Sequence, residues 1–202
     1  MSQVLVATHN AKKLTELRRI LVAEISGVEV LGLDDVAPYD EPPEVENTFE
    51  GNALIKARAA VAATSMPSLA DDSGICVDAL NSMPGVLSAR WSGTPRDDAR
   101  NNELLLAQLA DIPDERRHAE FRCAVAFVTP DGDEFIEIGV VRGTILLAGR
   151  GSNGFGYDPL FRADGQTYSN AELSADDKDR ISHRGRALRD MVPTVAKALR
   201  RR

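Results

Sequence analysis

The sequence predicts an α/β fold, a mixed β-sheet flanked by helices. Two observations carry that prediction. Apolar runs of strand length alternate with helical stripes early in the chain, and two β-rich runs around a turn sequence read as a later hairpin. The 202 residues also show no internal repeat, low-complexity linker or composition break, which predicts a single domain over 1–202.

Taken in order, Gln3 to Thr8 is a short apolar run ending in polar residues, a buried strand. Asn10 caps the helix that follows, in which Leu14, Leu17, Ile20 and Leu21 recur at helical spacing with Lys13, Glu16 and Arg18 between them. Val28 to Leu33 reads as a second strand, and the acid- and proline-rich stretch from Asp34 to Glu46 as a loop. Thr48 opens a second helix through Phe49, Ala53, Ile55 and Ala60 to about Ala63. Ser68 to Asp72 is a strand ending on two carboxylates, and Ile75 to Leu80 resumes the apolar pattern. Pro84 to Pro95, with Trp91, is an irregular crossing before a third helix over Asp97 to Leu109, where Leu104, Leu105 and Leu109 share a face. Phe121 to Val128 and Phe135 to Val141 flank the turn Pro130-Asp131-Gly132-Asp133. A glycine-rich loop spans Gly149 to Tyr157, and the last helix begins near Ser182 with Leu188, Met191, Val195 and Leu199 on one stripe.

The composition, 43% hydrophobic and 27% charged, is that of a folded globular chain. A net charge of -7 opposes a broad basic face for duplex nucleic acid, yet it leaves room for a small anionic substrate held by local cations. Arg200, Arg201 and Arg202 read as complements to a helix C-terminus rather than a nucleic-acid tail. Cys76 and Cys123 sit in separate apolar stretches and read as small core residues. The sequence shows neither a basic segment leading into a long apolar run nor the ~20 apolar residues of a membrane span, so the expected compartment is the cytoplasm.

Five segments carry chemistry. Thr8-His9-Asn10-Ala11-Lys12-Lys13 joins a strand to a helix N-terminus, where backbone N–H groups, the helix dipole, Thr8, Asn10 and Lys13 suit a phosphate; an Asn cap with solvated lysines is the plainer reading. In Asp71-Asp72-Ser73-Gly74 two adjacent carboxylates repel, which a bound cation relieves, and Ser73 and Gly74 let the chain turn close to a ligand. Glu44 and Glu46 precede the helix that carries Asn52 and Lys56 on one face, so Lys56 can offset the acids or touch a phosphate. Gly151 to Pro159 combines glycines for close backbone approach with Phe155 and Tyr157, either of which can stack on a flat base, and Asp158, which can fix a turn. Lys178 and Ser182-His183-Arg184 place positive groups at a helix N-terminus, a locally unfavourable choice that invites a ligand.

In this order, the segments resemble the non-standard purine nucleoside-triphosphate pyrophosphatases, the inosine triphosphatase or XTP/dITP diphosphatase enzymes. The matching pieces are residues 8–13, Thr48 to Lys56, Ala70 to Gly74, Pro84 to Arg90, Gly154 to Pro159 and Ser182 to Arg184. Gly51 departs from the acidic residue usual before the helix asparagine, and Glu44 has Glu46 as a competitor for the loop's metal ligand. The resemblance implies two lobes with the active site in the cleft between them, a homodimer, a nucleoside-triphosphate substrate, and Mg²⁺-dependent cleavage between the α- and β-phosphates of ITP, dITP or XTP. It further implies Mg²⁺ at Asp72 and Glu44 with Asp71 close by, Asp72 or Asp71 as general base, and the triphosphate held by the segment from Thr8 through His9, Asn10, Ala11 and Lys12 to Lys13, by Lys56 and by Ser73. Phe155 would stack on the base, and Gly156, Tyr157, Asp158, Lys178, His183 and Arg184 would read its edge.

Overall fold

The computed structural model describes residues 2–200. By its contacts the chain divides into two compact units, each assembled from separated segments: Met1–Asp72, Cys123–Gly139 and Arg184–Arg202 in the first, Ser73–Arg122 and Val140–His183 in the second. Among the described residues one mixed sheet runs in the order β2-β1-β3-β5-β6-β7, with β4 off β3. These strands are β1 (Ser2–Val6), β2 (Val28–Leu31), β3 (Ser68–Val77), β4 (Met83–Pro84), β5 (His118–Val128), β6 (Glu134–Ile145) and β7 (Phe161–Ala163). β1 pairs in parallel with β2 and β3, whereas β4 and β7 add antiparallel partners. The predicted mixed α/β sheet is therefore the observed one.

In the first unit, α1 (Ala11–Glu24) and α5 (His183–Leu199) share a core with the strands. Leu17, Ile20 and Leu21 of α1 meet Leu188, Met191, Val195 and Leu199 of α5 and Val4, Val6, Leu69 and Val125 of the sheet. Burying one such side chain is worth about 1.5–3 kcal/mol, so the two helical stripes anchor both helices. The Asn10 side chain accepts from the N–H groups of Lys12 and Lys13, and Thr48 caps α2 (Phe49–Thr64) through Gly51 N–H. The second unit packs Leu105 and Leu109, at the end of α3 (Asp98–Gln108), against Ile75, Val77, Phe121, Ile145 and Phe161. Arg117 is buried there with its guanidinium on the carbonyls of Leu109, Ile145 and Leu146, so an apolar side chain would remove a donor from each of the three. Arg201 and Arg202, read from sequence as part of a helix-complementing tail, lie outside the described residues.

Two local expectations change. Ser68 to Leu80 was expected as a strand, a turn at Ser73-Gly74 and a second apolar run; β3 instead continues unbroken from Ser68 to Val77. Gly74 serves approach rather than turning, since a Cβ there would lie 2.4 Å from both the Gly85 carbonyl and Ser88 Oγ. A seven-residue helix, α4 (Ala175–Ile181), also precedes α5; its signal was Ser174 as cap with Asp176 and Asp177 in the first turn.

Candidate active site

Successive side chains on a strand point to opposite faces, so β3 sends Asp71 and Asp72 to different neighbours. This corrects the picture of two carboxylates crowded at a strand end. Asp71 is fully buried. Its Oδ2 takes Lys13 Nζ at 2.9 Å, Arg184 Nε at 3.1 Å and Cys123 Sγ at 3.8 Å, while Oδ1 has no hydrogen-bond partner among the described residues. Arg184 also donates through Nη1 to Glu16 at 2.7 Å, closing a buried network of two cations and two acids drawn from α1, β3 and α5. Burial opposes ionisation of Asp71, but Lys13, Arg184 and Lys56 override it and hold the carboxyl well below the usual range. Asp71 was expected close to a metal ion; protein cations already hold its Oδ2, which leaves Oδ1 as the oxygen that could face one.

Asp72 has a different environment. Its Oδ2 accepts from Asn52 Nδ2 at 3.0 Å, and burial pushes the carboxyl above its ordinary value; Lys56 and Lys13 pull it down, and the charge of Glu44 pushes it up again. Lys56 Nζ bridges Glu44 at 2.8 Å and the Asp71 carbonyl at 2.6 Å. Burial disfavours the Lys56 ammonium, yet Asp71, Asp72 and Glu44 outweigh it and raise its pKa. Glu44 is thus the acid that faces this cluster. Glu46 is held by its backbone, whose N–H and carbonyl both meet the Asn52 amide. A Cβ at Gly51 would lie 2.7 Å from Glu46 Cβ, so the absent side chain at 51 makes room for that loop.

The phosphate segment differs from expectation in one respect. Its N–H groups were expected to be open to a ligand, but those of Lys12 and Lys13 go to Asn10 Oδ1 and that of Asn10 goes to Thr8 Oγ1. The segment still offers an anion the Thr8 hydroxyl and the positive end of α1, which starts at Ala11, while the ammonium of Lys13 is paired with Asp71. His9 is exposed and pairs with Glu41.

Asp71 also sets a pH dependence. Its folded pKa lies below the unfolded value near 3.9, so its stabilisation is complete above that value and is lost as pH falls. Asp71→Asn is expected to be less stable than the native chain at pH 6, with the gap narrowing by about 1 kcal/mol at pH 3. Urea unfolding at the two pH values measures this, and a gap that stays constant would contradict the assignment.

The second unit builds its own cluster. Asp158, buried, accepts from Phe155 N–H at 2.8 Å, Lys178 Nζ at 2.6 Å and Asn170 Nδ2 at 3.3 Å. Gly154 must lack a side chain, since a Cβ would lie 2.2 Å from Asp158 Oδ2. Lys178 Nζ also lies 4.7 Å from the centroid of the half-buried Phe155 ring, a cation–π contact. Tyr157 is a core residue, its hydroxyl donating to the Ser88 carbonyl. His183 is buried and stacks on Phe121 with centroids 4.7 Å apart. Ser73 is half-buried in β3 rather than at a turn. Arg184, expected beside a base edge, is instead engaged with Glu16 and Asp71, because a buried guanidinium needs carboxylates more than a helix N-terminus needs an anion.

Residues 4–194 match the model of the Ham1 family. The chain belongs to the Ham1 family. A dITP/XTP pyrophosphatase of Nocardia farcinica is 60% identical, the match covering 97% of this chain and 96% of that one. The crystal structure of a dITP/XTP pyrophosphatase from Mycobacterium abscessus is 55% identical at a TM-score of 0.77, covering 95% of this chain and 99% of that one. A HAM1 protein of Coxiella burnetii is 36% identical at a TM-score of 0.87, with 98% and 100% covered. In this Ham1 chain, sequence reasoning missed Glu16 as a partner of Arg184 and Asn170 as a partner of Asp158; a polar residue buried on an apolar helix stripe was the available signal for Glu16.

Proposed function

We propose that this chain is a dITP/XTP pyrophosphatase, hydrolysing non-standard purine nucleoside triphosphates between the α- and β-phosphates. The observation that carries the reading is the convergence of Lys13, Lys56 and Asn52 with Glu44 on Asp71-Asp72, cations for a polyphosphate beside a carboxyl suited to proton transfer. Relatives bearing that activity in their names are 53–60% identical over nearly the full chain.

Glu44 and Asp72 would hold the Mg²⁺. Among the described residues no group of three or more His, Cys, Asp or Glu gathers as a metal cage, and Mg²⁺ suits a pair of carboxylates completed by waters and substrate phosphates. A cation there would also relieve the burial and Glu44 charge that raise Asp72. Bound, it supplies Lewis-acid charge to the phosphate oxygens. Asp72 would take the proton of the attacking water, being the carboxyl placed beside Glu44 and Lys56 where that water would be held. Lys13 and Lys56, with the Thr8 hydroxyl and the α1 dipole, neutralise the triphosphate as charge develops. Phe155 stacks on the base, and Lys178 and His183 read its keto edge. Donors there pair with a 6-keto oxygen but meet the amino group of adenine unpaired, at ~1–3 kcal/mol each, or roughly ten- to hundredfold.

Pyrophosphate release measured on dITP, XTP, dATP, dGTP and dTTP, with Mg²⁺ or with EDTA, tests the reading. Fast turnover of dITP and XTP that EDTA abolishes is expected; equal rates on all five triphosphates would overturn it.

A further inference from the structure

We propose that Asp98 and Asn102 of α3 are positioning residues for base binding, clasping both polar groups of the Gly156 backbone. The inference rests on the reading above, which places a base against Phe155. The Gly156 N–H donates to Asp98 Oδ2 at 2.8 Å, and Asn102 Nδ2 donates to the Gly156 carbonyl at 3.0 Å. The two side chains are four residues apart and so share one helix face. Gly156 sits at φ +61, a left-handed conformation that glycine adopts readily, and one helix supplies partners to both of its polar groups. The helix that supplies them is a firm mount. Asp97 caps it, Leu105 and Leu109 are in the core, and Asn101 ties it to the N–H of Ser92 and the carbonyls of Ser88 and Ala89.

On the other side, the Phe155 N–H is fixed by Asp158. The aromatic residue is therefore held at its own N–H and at both polar groups of the residue that follows. Asn102 meets the loop at a disadvantage, because its Oδ1 is buried without a hydrogen-bond partner among the described residues. A half-buried helix position under no constraint from the loop would accept a smaller, apolar residue there.

The test compares Asn102→Ala, Asp98→Ala and Asp98→Asn with the native chain, reading the inhibition constants of dIMP and of pyrophosphate against dITP hydrolysis, together with thermal midpoints. Either alanine variant is expected to weaken dIMP about tenfold while pyrophosphate changes less than about twofold, because only the base-bearing product needs a preordered loop. Asp98→Asn keeps an acceptor oxygen and recovers most of the dIMP affinity. Unchanged dIMP affinity in Asn102→Ala overturns the proposal, as does a parallel loss of both products with a lowered midpoint, which marks a structural role. A native chain that does not hydrolyse dITP overturns the functional reading, and this one with it.

Discussion

Asp72→Asn is expected to lose at least about 10³-fold of pyrophosphate release while melting no lower than the native chain. The size follows from removing a general base, worth 10²–10⁴-fold by itself, and a carboxylate offered to Mg²⁺. The sign of the stability change follows from the environment. Burial raises the Asp72 pKa, so its ionised form at neutral pH is a cost to the fold, and a neutral amide of the same shape removes that cost. Asn52 keeps an acceptor in either case. Pyrophosphate release and thermal unfolding measure the two halves. Activity within tenfold of native would remove both the base and the metal assignment, and a midpoint several degrees lower would contradict the electrostatic argument.

Arg184→Ala is expected to be the most destabilising exchange near the site, at about 3–5 kcal/mol, because it strips the counter-charge from Glu16 and part of it from Asp71 in a buried setting. For a chain of this length that lowers the thermal midpoint by about 10 °C. Arg184→Lys should restore only part of the loss, since one ammonium cannot reproduce a fork whose Nε and Nη1 serve different carboxylates. A midpoint within about 2 °C of native in the alanine variant would show that the network contributes little.

What was legible in the sequence was local. Asn10 and Thr48 declared themselves as caps by residue type and position, and the stripe Leu188-Met191-Val195-Leu199 gave α5 by its spacing. The phosphate segment, Lys56, Glu44 and the acidic pair were found as separate pieces, and the structure brings them together in the first unit. The division of labour between Asp71 and Asp72 was not legible. Like-charge repulsion between neighbours argued for a shared cation, and only the strand's continuation past Asp72 shows that the pleat separates them. Arg184 was misplaced for a related reason: its acceptors lie 168 and 113 residues away, at Glu16 and Asp71, beyond any periodicity. The clasp on Gly156 spans 58 and 54 residues and was invisible on the same ground. The short α4 offered too few residues for a stripe, and only its capping serine and acidic first turn could have marked it.

The double anchoring of Asp71 has a consequence for how an anion is received. Lys13 and Arg184 both hold the same carboxylate oxygen, and only Arg184 is fully committed to the interior. Were Lys13 to turn to a phosphate, Arg184 would still hold Asp71, whose charge would keep a partner in its dry environment. The second cation would thus let the first change partners without loosening the strand beneath it.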